Sequence, residues 1–400
     1  GVHSYNTFVM KGGIISKNTA NVNGGGVCND TGTFTMSGGK ISGNSASQGC
    51  GLYLKKGTFE VQGTPTIDGN ANNDNVSFYS ADEYITVTGK FSGSIGVKQN
   101  LDKVVVEAAR GYTLTQDDAD HFFADELNTN LELINNTLVC KKLTIEDIQS
   151  KIDNAKSGDI ITINGRISVD KTINVNKDVT LNGKGTLIRA SGFKDTILSI
   201  RSGAKVTMED ITIDGNNIAG ASSAVYINSG TSFTMKSGTI KNNTARGNGG
   251  GVCNYGETFT MIGGTISGNS ASAGGGLYNG GPFTMSGGEI SKNTASDNGG
   301  GVYSYNDTFT MTGGTISENT TKASGGGIYN SGTFDMIKGT ISGNKAESYS
   351  GGISNQSIFT MSGGAITGNS SNKESGGVGN AGTFTMTGGV ISENSAEEHG

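Results

Sequence analysis

Two aspartates, Asp68 and Asp214, stand in the same pentapeptide, Thr-Ile-Asp-Gly-Asn. A sugar-cleaving site needs two carboxylates facing one glycosidic bond, one as acid and one as base or nucleophile. These two belong to different stretches of the chain, and neither is joined by a second acid at its own repeat position. Each reads as a turn-forming Asp. The three histidines, His3, His121 and His399, have no Ser or Cys partner at a nucleophile-base spacing. The four cysteines, Cys28, Cys50, Cys140 and Cys253, form no Cys-x-x-Cys pair, so neither a zinc site nor a disulfide framework is indicated. The reading therefore assigns no catalytic residue, no metal ligand and no cofactor.

The elements that would position any site are written as a repeat. Phe recurs at 8, 34 and 59, and again at 233, 259, 283, 309, 334, 359 and 384, at intervals of 24 to 26 residues within each run. Every one of the 10 Met follows the ladder position by two, with Val206 standing in for Phe ahead of Met208. A unit such as 252–269 holds three short strand signals, Val252–Asn254, Phe259–Met261 and Thr265–Ser267, separated by Gly, Asn and Ser. Period two turns Val, Phe, Met and Ile inward and the flanking Thr outward. Asn243, Asn269, Asn293, Asn319, Asn344, Asn369 and Asn394 each lie ten residues after a Phe. Stacked at a corner, such amides would bond from coil to coil. Strands this short cannot bury a face alone. A parallel solenoid, with coils about 4.8 Å apart, supplies the partner.

Composition agrees with this. Gly is 67 of 400 residues, Pro only 2, and hydrophobic residues 33%. That combination excludes collagen and calls for frequent tight turns. Net charge is −6 without a Lys/Arg block, which argues against a nucleic-acid partner. No apolar run is long enough for a membrane-spanning segment.

The units "GTFTMSGGKISGNSA" and "GGGLYNGGPFTMSGGEISKNTA" resemble the right-handed parallel β-helix proteins of the pectin-lyase-like superfamily. They are similar to large adhesin-like proteins of bacterial and archaeal surfaces. The resemblance implies an all-β, right-handed parallel β-helix solenoid. It also implies a secreted or cell-surface setting and a non-catalytic structural or adhesive role, as a stiff stalk or adhesin meeting host or environmental glycans or surface proteins. A polysaccharide lyase or glycoside hydrolase on the same fold is the alternative, and an ice-binding solenoid a minor one. The last would use outward Thr-x-Thr pairs such as Thr258/Thr260, Thr308/Thr310 and Thr383/Thr385, a series interrupted at Pro282, Asp335 and Ile358.

Four segments are expected. Residues 1–75 are the last coils of a first β-helix. Residues 76–142 are a capping segment with a hairpin at Asn135–Asn136 and a helix over "LTQDDADHFFADEL", capped by Thr115 with Asp118 and apolar along Ala119, Phe122, Phe123 and Leu127. Residues 143–158 are a helix opening a second solenoid, with Thr144 as its cap and Ile145, Ile148, Ile152 and Ala155 as its apolar stripe. Residues 159–400 are that second solenoid. The chain starts in mid-repeat and Gly400 stands where another glycine cluster would begin, so a signal and an anchor are expected outside this stretch.

One outward position is a candidate binding surface. Tyr278, Tyr303 and Tyr329 hold the outward position before the corner Asn in consecutive units, after Cys253. Stacked rings there would form an aromatic strip for a sugar or a protein. Ordinary β-propensity on an exposed strand would place tyrosines there too.

Overall fold

The computed structural model describes residues 1–399; Gly400, the expected start of a further glycine cluster, lies outside the described residues. The chain is 47% strand and 4% helix, and its coils of about 25 residues stack in parallel as a right-handed β-solenoid. It divides into two compact units. The first is Gly1–Thr144 with Ile163–Ser168 and Gly183–Thr186; the second is Ile145–Thr162, Val169–Asn182 and Leu187 onward. Two short stretches beyond residue 159 thus cluster with the first unit.

In the second unit each coil contributes one strand to each of three sheets. The Phe-Thr-Met sheet has ten strands, from Asp159–Thr162 to Thr383–Met386. The sheet carrying the Val/Leu/Ile-x-Asn strands has nine, from Ile173–Val175 to Val378–Asn380. The Thr-Ile-Ser strands run from Thr212–Asp214 to Val390–Ser392. A fourth series, six two-residue strands from Ser270–Ala271 to Ser395–Ala396, was not legible in the repeat. Register is like on like: Phe309 faces Phe334, Met311 faces Met336 and Ile316 faces Ile341.

Three ladders hold this array. Phe259, Phe283, Phe309, Phe334 and Phe359 are almost fully buried, with successive centroids 4.9, 4.7, 4.7 and 5.0 Å apart. Removing such a ring from water is worth roughly 1.5–3 kcal/mol before any cavity term. The Met ladder explains the Gly-Gly that follows it. Gly314 sits at φ +84°, and a Cβ there would come 2.6 Å from the Met285 methyl of the preceding coil. The same holds at Gly264, Gly339 and Gly364, under Met235, Met311 and Met336. Only glycine satisfies both the left-handed turn and the seat for the thioether end.

The third ladder is the Asn series. The Asn293 amide donates to Asn319 Oδ1 at 3.0 Å and to the Ile266 carbonyl at 2.9 Å, while its Oδ1 accepts from Asn269. Asn243 to Asn394 repeat the coil-to-coil pattern. Each amide from Asn269 to Asn369 therefore ties neighbouring coils on both sides, at about 1 kcal/mol per bond. A second series on the next corner joins Asn254 to Asn279 and Asn330 to Asn355. It fails at Ser304: Asn279 Nδ2 and Ser304 Oγ are both buried without a partner.

This unit opens with the helix Ile145–Asn154, which buries Ile145, Ile148 and Ile152 as its spacing requires. Gln149 exchanges two 2.9 Å bonds with the backbone N–H and C=O of Asn174, so one side-chain amide stands in for a neighbouring strand at the sheet edge.

In the first unit Phe8, Phe34 and Phe59 stack at 4.8 Å. Parallel pairing continues past residue 75. Val76–Phe78 lies on Leu52–Leu54, Ile85–Phe91 on Thr58–Gly63, and Ser94–Val97 on Thr66–Ile67. Antiparallel pairing then takes over. Thr129–Ile134 and Thr137–Lys142 form the expected hairpin, with Asn135 and Asn136 at φ 48° and 66°, as a tight two-residue turn demands. Thr137–Lys142 also pairs antiparallel with Val104–Ala108.

The helix expected over residues 114–127 is corrected. Only Gln116–Ala119 is helical, with the Thr115/Asp118 capping box in place. Phe122–Ala124 is a strand paired with Ile95–Val97. The spacing of Ala119, Phe122 and Phe123 suits a helix, but Phe122 stacks on Phe91 at 4.5 Å as another rung of a ladder. Tertiary stacking overrides the local pattern.

Candidate functional site

The strands Leu277–Asn279, Val302–Ser304 and Ile328–Asn330 bring Tyr278, Tyr303 and Tyr329 into register. Their inward neighbours Leu277, Val302 and Ile328 are fully buried, so the rings stand on the outer face of the sheet. Ring centroids are 5.3 Å apart from Tyr278 to Tyr303 and 4.8 Å from Tyr303 to Tyr329.

The expectation of a uniformly exposed strip is corrected at Tyr278, which is only 7% exposed. The chain before it doubles back at Gly274, φ +63°, where a Cβ would lie 2.8 Å from Tyr278 N. This brings Ala273 against Tyr278 and Cys253, and Tyr226 and Tyr303 pack on the same cluster. Period two turns a side chain away from the solenoid core; it does not keep another loop off it. Tyr303 and Tyr329 are half-buried.

The strip is also wider than its three expected members. Tyr226 precedes Cys253 in the same register. Tyr255 and Tyr305, two residues beyond the strand position, form a second outward tier and are 39% and 42% exposed. Tyr255 lies 5.8 Å from both Tyr226 and Tyr278, and Tyr305 lies 6.1 Å from Tyr278. Gly280 occupies the equivalent position between them, and a Cβ there would be 2.9 Å from the Tyr255 ring. The absence of a side chain at 280 lets Tyr255 lean over the next coil. Alternation from Tyr303 to Tyr305 was the signal available in the sequence.

Burial raises the phenol pKa of Tyr226, Tyr255, Tyr278 and Tyr329 above the ordinary tyrosine range, so these hydroxyls stay protonated and can donate at neutral pH. Burial likewise pushes the Cys253 thiol up to about 12. No thiolate nucleophile is available there.

The remaining chemistry-bearing residues are scattered. Asp214 accepts from the backbone N–H of Asn216 at 2.9 Å, accepts from Asn242 and pairs with Lys241 at 3.5 Å, which is turn and surface work. Asp68 lies 3.6 Å from Lys40. His3 stands beside Asp30 and Tyr5, His121 is edge-on to Phe91, and His399 bridges to Glu374 through backbone pairing. All four cysteines are free. Among the described residues no group of three His, Cys, Asp or Glu is placed to hold a metal ion, and no helix is long and apolar enough to cross a membrane.

No protein-family profile, no curated protein sequence and no solved structure matches this chain at a significant level. Its class is defined by its coils: a parallel β-solenoid with Phe, Met, Ile and Asn ladders inside and a tyrosine strip outside.

Proposed function

We propose that this chain is a non-catalytic structural and adhesive segment of a large secreted or cell-surface β-helix repeat protein of the adhesin-like, pectin-lyase-like kind. It acts as a stiff stalk whose tyrosine strip meets glycans or surface proteins. The observation that carries the reading is a contrast between inside and outside. Within the second unit the inward positions repeat nearly unchanged across consecutive coils, while the outward position beside them runs Ser199, Tyr226, Cys253, Tyr278, Tyr303, Tyr329, Ser354 and Gly379. The inward ladders stiffen the array, and the outward row gathers Tyr226, Tyr278, Tyr303 and Tyr329 on one face. Rigid aromatic rings on a fixed strand lose little entropy on binding, and sugars present C–H faces suited to them. A row of rings favours weak, repeated contacts.

The test is a glycan array probed with the parent and with Tyr255→Ser/Tyr305→Ser, the two exposed rings. Retention on particular glycans that is lost in the double variant is the expected result. Release of unsaturated or reducing ends from a polysaccharide, surviving repurification, would replace the reading with an enzymatic one.

A further inference from the structure

Beside the first rings of the strip, three successive corner loops of the second unit rise around a cleft of about 520 Å³. The loops are Lys194–Thr196, Gly220–Ser223 and Ala245–Asn248, and Tyr226, Cys253 and Tyr255 form the floor. The loops are fastened in series: Ser222 N–H donates to the Lys194 carbonyl at 2.7 Å and Arg246 N–H to the Ala221 carbonyl at 2.9 Å. Beneath them lies Arg189, fully buried, whose guanidinium donates to the Asp195 carbonyl and, at 3.1 Å, to the Ser222 carbonyl. It stands 5.6 Å over the Phe193 ring. A buried cation spent on loop carbonyls is costly, and the nearby Asp195 carboxylate offsets part of that cost.

The charges above it point the same way. Lys194 and Arg246 are exposed on the rim, and among the described residues neither forms an ion pair. Arg246 lies along Gly220, its Nε 3.0 Å from where a Cβ would stand, so the glycine makes the bed for that side chain. Three cations and the single carboxylate of Asp195 give this cleft a positive balance on a chain whose net charge is −6.

We infer that this cleft binds the terminal anionic sugar of a short glycan, a sugar bearing a carboxylate or a sulfate ester. The inference rests on the adhesive reading above and names the ligand class for one end of the strip. Tyr226 and Tyr255, 5.8 Å apart and tilted by 39°, offer the sugar ring an apolar platform. Arg246 and Lys194 take the anion by charge-assisted hydrogen bonds. Asp195 accepts from ring hydroxyls. A cleft of this volume lies within the ~300–1,000 Å³ range of small-ligand sites, which suits one or two sugar rings rather than a long chain.

The experiment is calorimetric or NMR titration with sialyllactose, with sulfated galactose and with lactose. The proteins compared are the parent, Lys194→Ala/Arg246→Ala, and Tyr255→Ala. Both cationic side chains are exposed, so the double variant should fold as the parent does. The expected result is binding of sialyllactose or sulfated galactose over lactose, weakened by added salt and at least about tenfold weaker in the double variant. The two anionic sugars distinguish carboxylate from sulfate recognition. Lactose binding equal to sialyllactose and unchanged by the double substitution would overturn the charge argument and leave the aromatic strip standing. Binding of none of the three would overturn this inference; an empty glycan array as well would overturn the adhesive reading and make the segment a spacer.

Discussion

The two units use the same corner amide ladder and differ in where it leads. In the second unit Asn243 through Asn394 pass hydrogen bonds from one amide to the next without a break. In the first, the series runs Asn18, Asn44, Asn70 and Asn75, and then meets Asp125. Both carboxylate oxygens of Asp125 are engaged, one by Asn75 N–H at 3.0 Å and one by Asn75 Nδ2 at 2.9 Å. An amide accepts and donates, so it can relay; Asp125 receives both Asn75 bonds on its two carboxyl oxygens and passes none to a further amide, so the relay stops. The stop coincides with the change from parallel coils to the antiparallel hairpin. The comparison teaches that a repeat persists as long as each rung can hand on what it receives, and that one substituted atom ends it.

The largest expected effect breaks the uninterrupted array at its centre. Phe309→Ala removes a ring stacked at 4.7 Å on both neighbours and should cost about 3–5 kcal/mol. Urea unfolding monitored in the second unit would show it. An unchanged midpoint would mean the ladder does not carry the array.

A smaller loss separates buried from exposed tyrosines. Tyr278→Ser should cost about 2–3 kcal/mol because the ring fills the Cys253–Ala273 cluster, while Tyr305→Ser, on an exposed ring, should cost under about 0.5 kcal/mol. Equal costs would show the outer cluster to be no part of the fold's stability.

The stop itself is pH-sensitive. Burial pushes the Asp125 carboxyl up to about 7, against the hydrogen bonds from Asn75, which act to lower it. A carboxyl whose folded pKa exceeds its unfolded value binds more protons when folded. The Asp125 contribution to first-unit stability should therefore be fully present below the unfolded value of about 4 and be lost as pH rises toward 7, by at most about 1.4 kcal/mol per pH unit. Asp125→Asn restores a neutral relay and should flatten that slope, as hydrogen exchange at Asn75 N–H across this range would register. A variant with the parent's slope would assign the titration to another group.

The smallest effect repairs rather than breaks. Ser304→Asn, between Asn279 and Asn330, gives the unpartnered Asn279 amide an acceptor. It should stabilise the second unit by about 1 kcal/mol. Destabilisation would show that the corner at 304 is too narrow for the larger side chain.

The ladders were readable in advance because identity and period are both sequence properties: Phe, Met and Ile recur in register, and stacked coils bury all three. Asn135–Asn136 was readable because consecutive Asn tolerate left-handed backbone. The one-turn helix was over-extended because Phe122 and Phe123 have helical spacing from Ala119, and only stacking on Phe91 says otherwise. The termination at Asp125 left no local trace, since it lies 50 residues from Asn75. The second tier of tyrosines left only the Tyr303–Tyr305 alternation as a signal, because Tyr255 and Tyr305 stand past the strand ends, in positions that read as turns. The cleft was hidden for the same reason: its rim cations Lys194 and Arg246 sit in corner loops, where the repeat is least regular and carries least information.

The methionine seats have one further consequence. Met261, Met285, Met311 and Met336 are completely buried, each methyl resting on a glycine of the following coil. Peroxide adds an oxygen to the sulfur of any methionine it reaches, turning a pliable apolar group into a polar one with no room at that seat. While the coils stay closed the sulfurs are out of reach. The yield of sulfoxide after a brief oxidant pulse therefore dates each opening of the stack, and every such lesion makes reclosure harder. The residues that let the array be assembled without disulfides also give it a memory of having come apart.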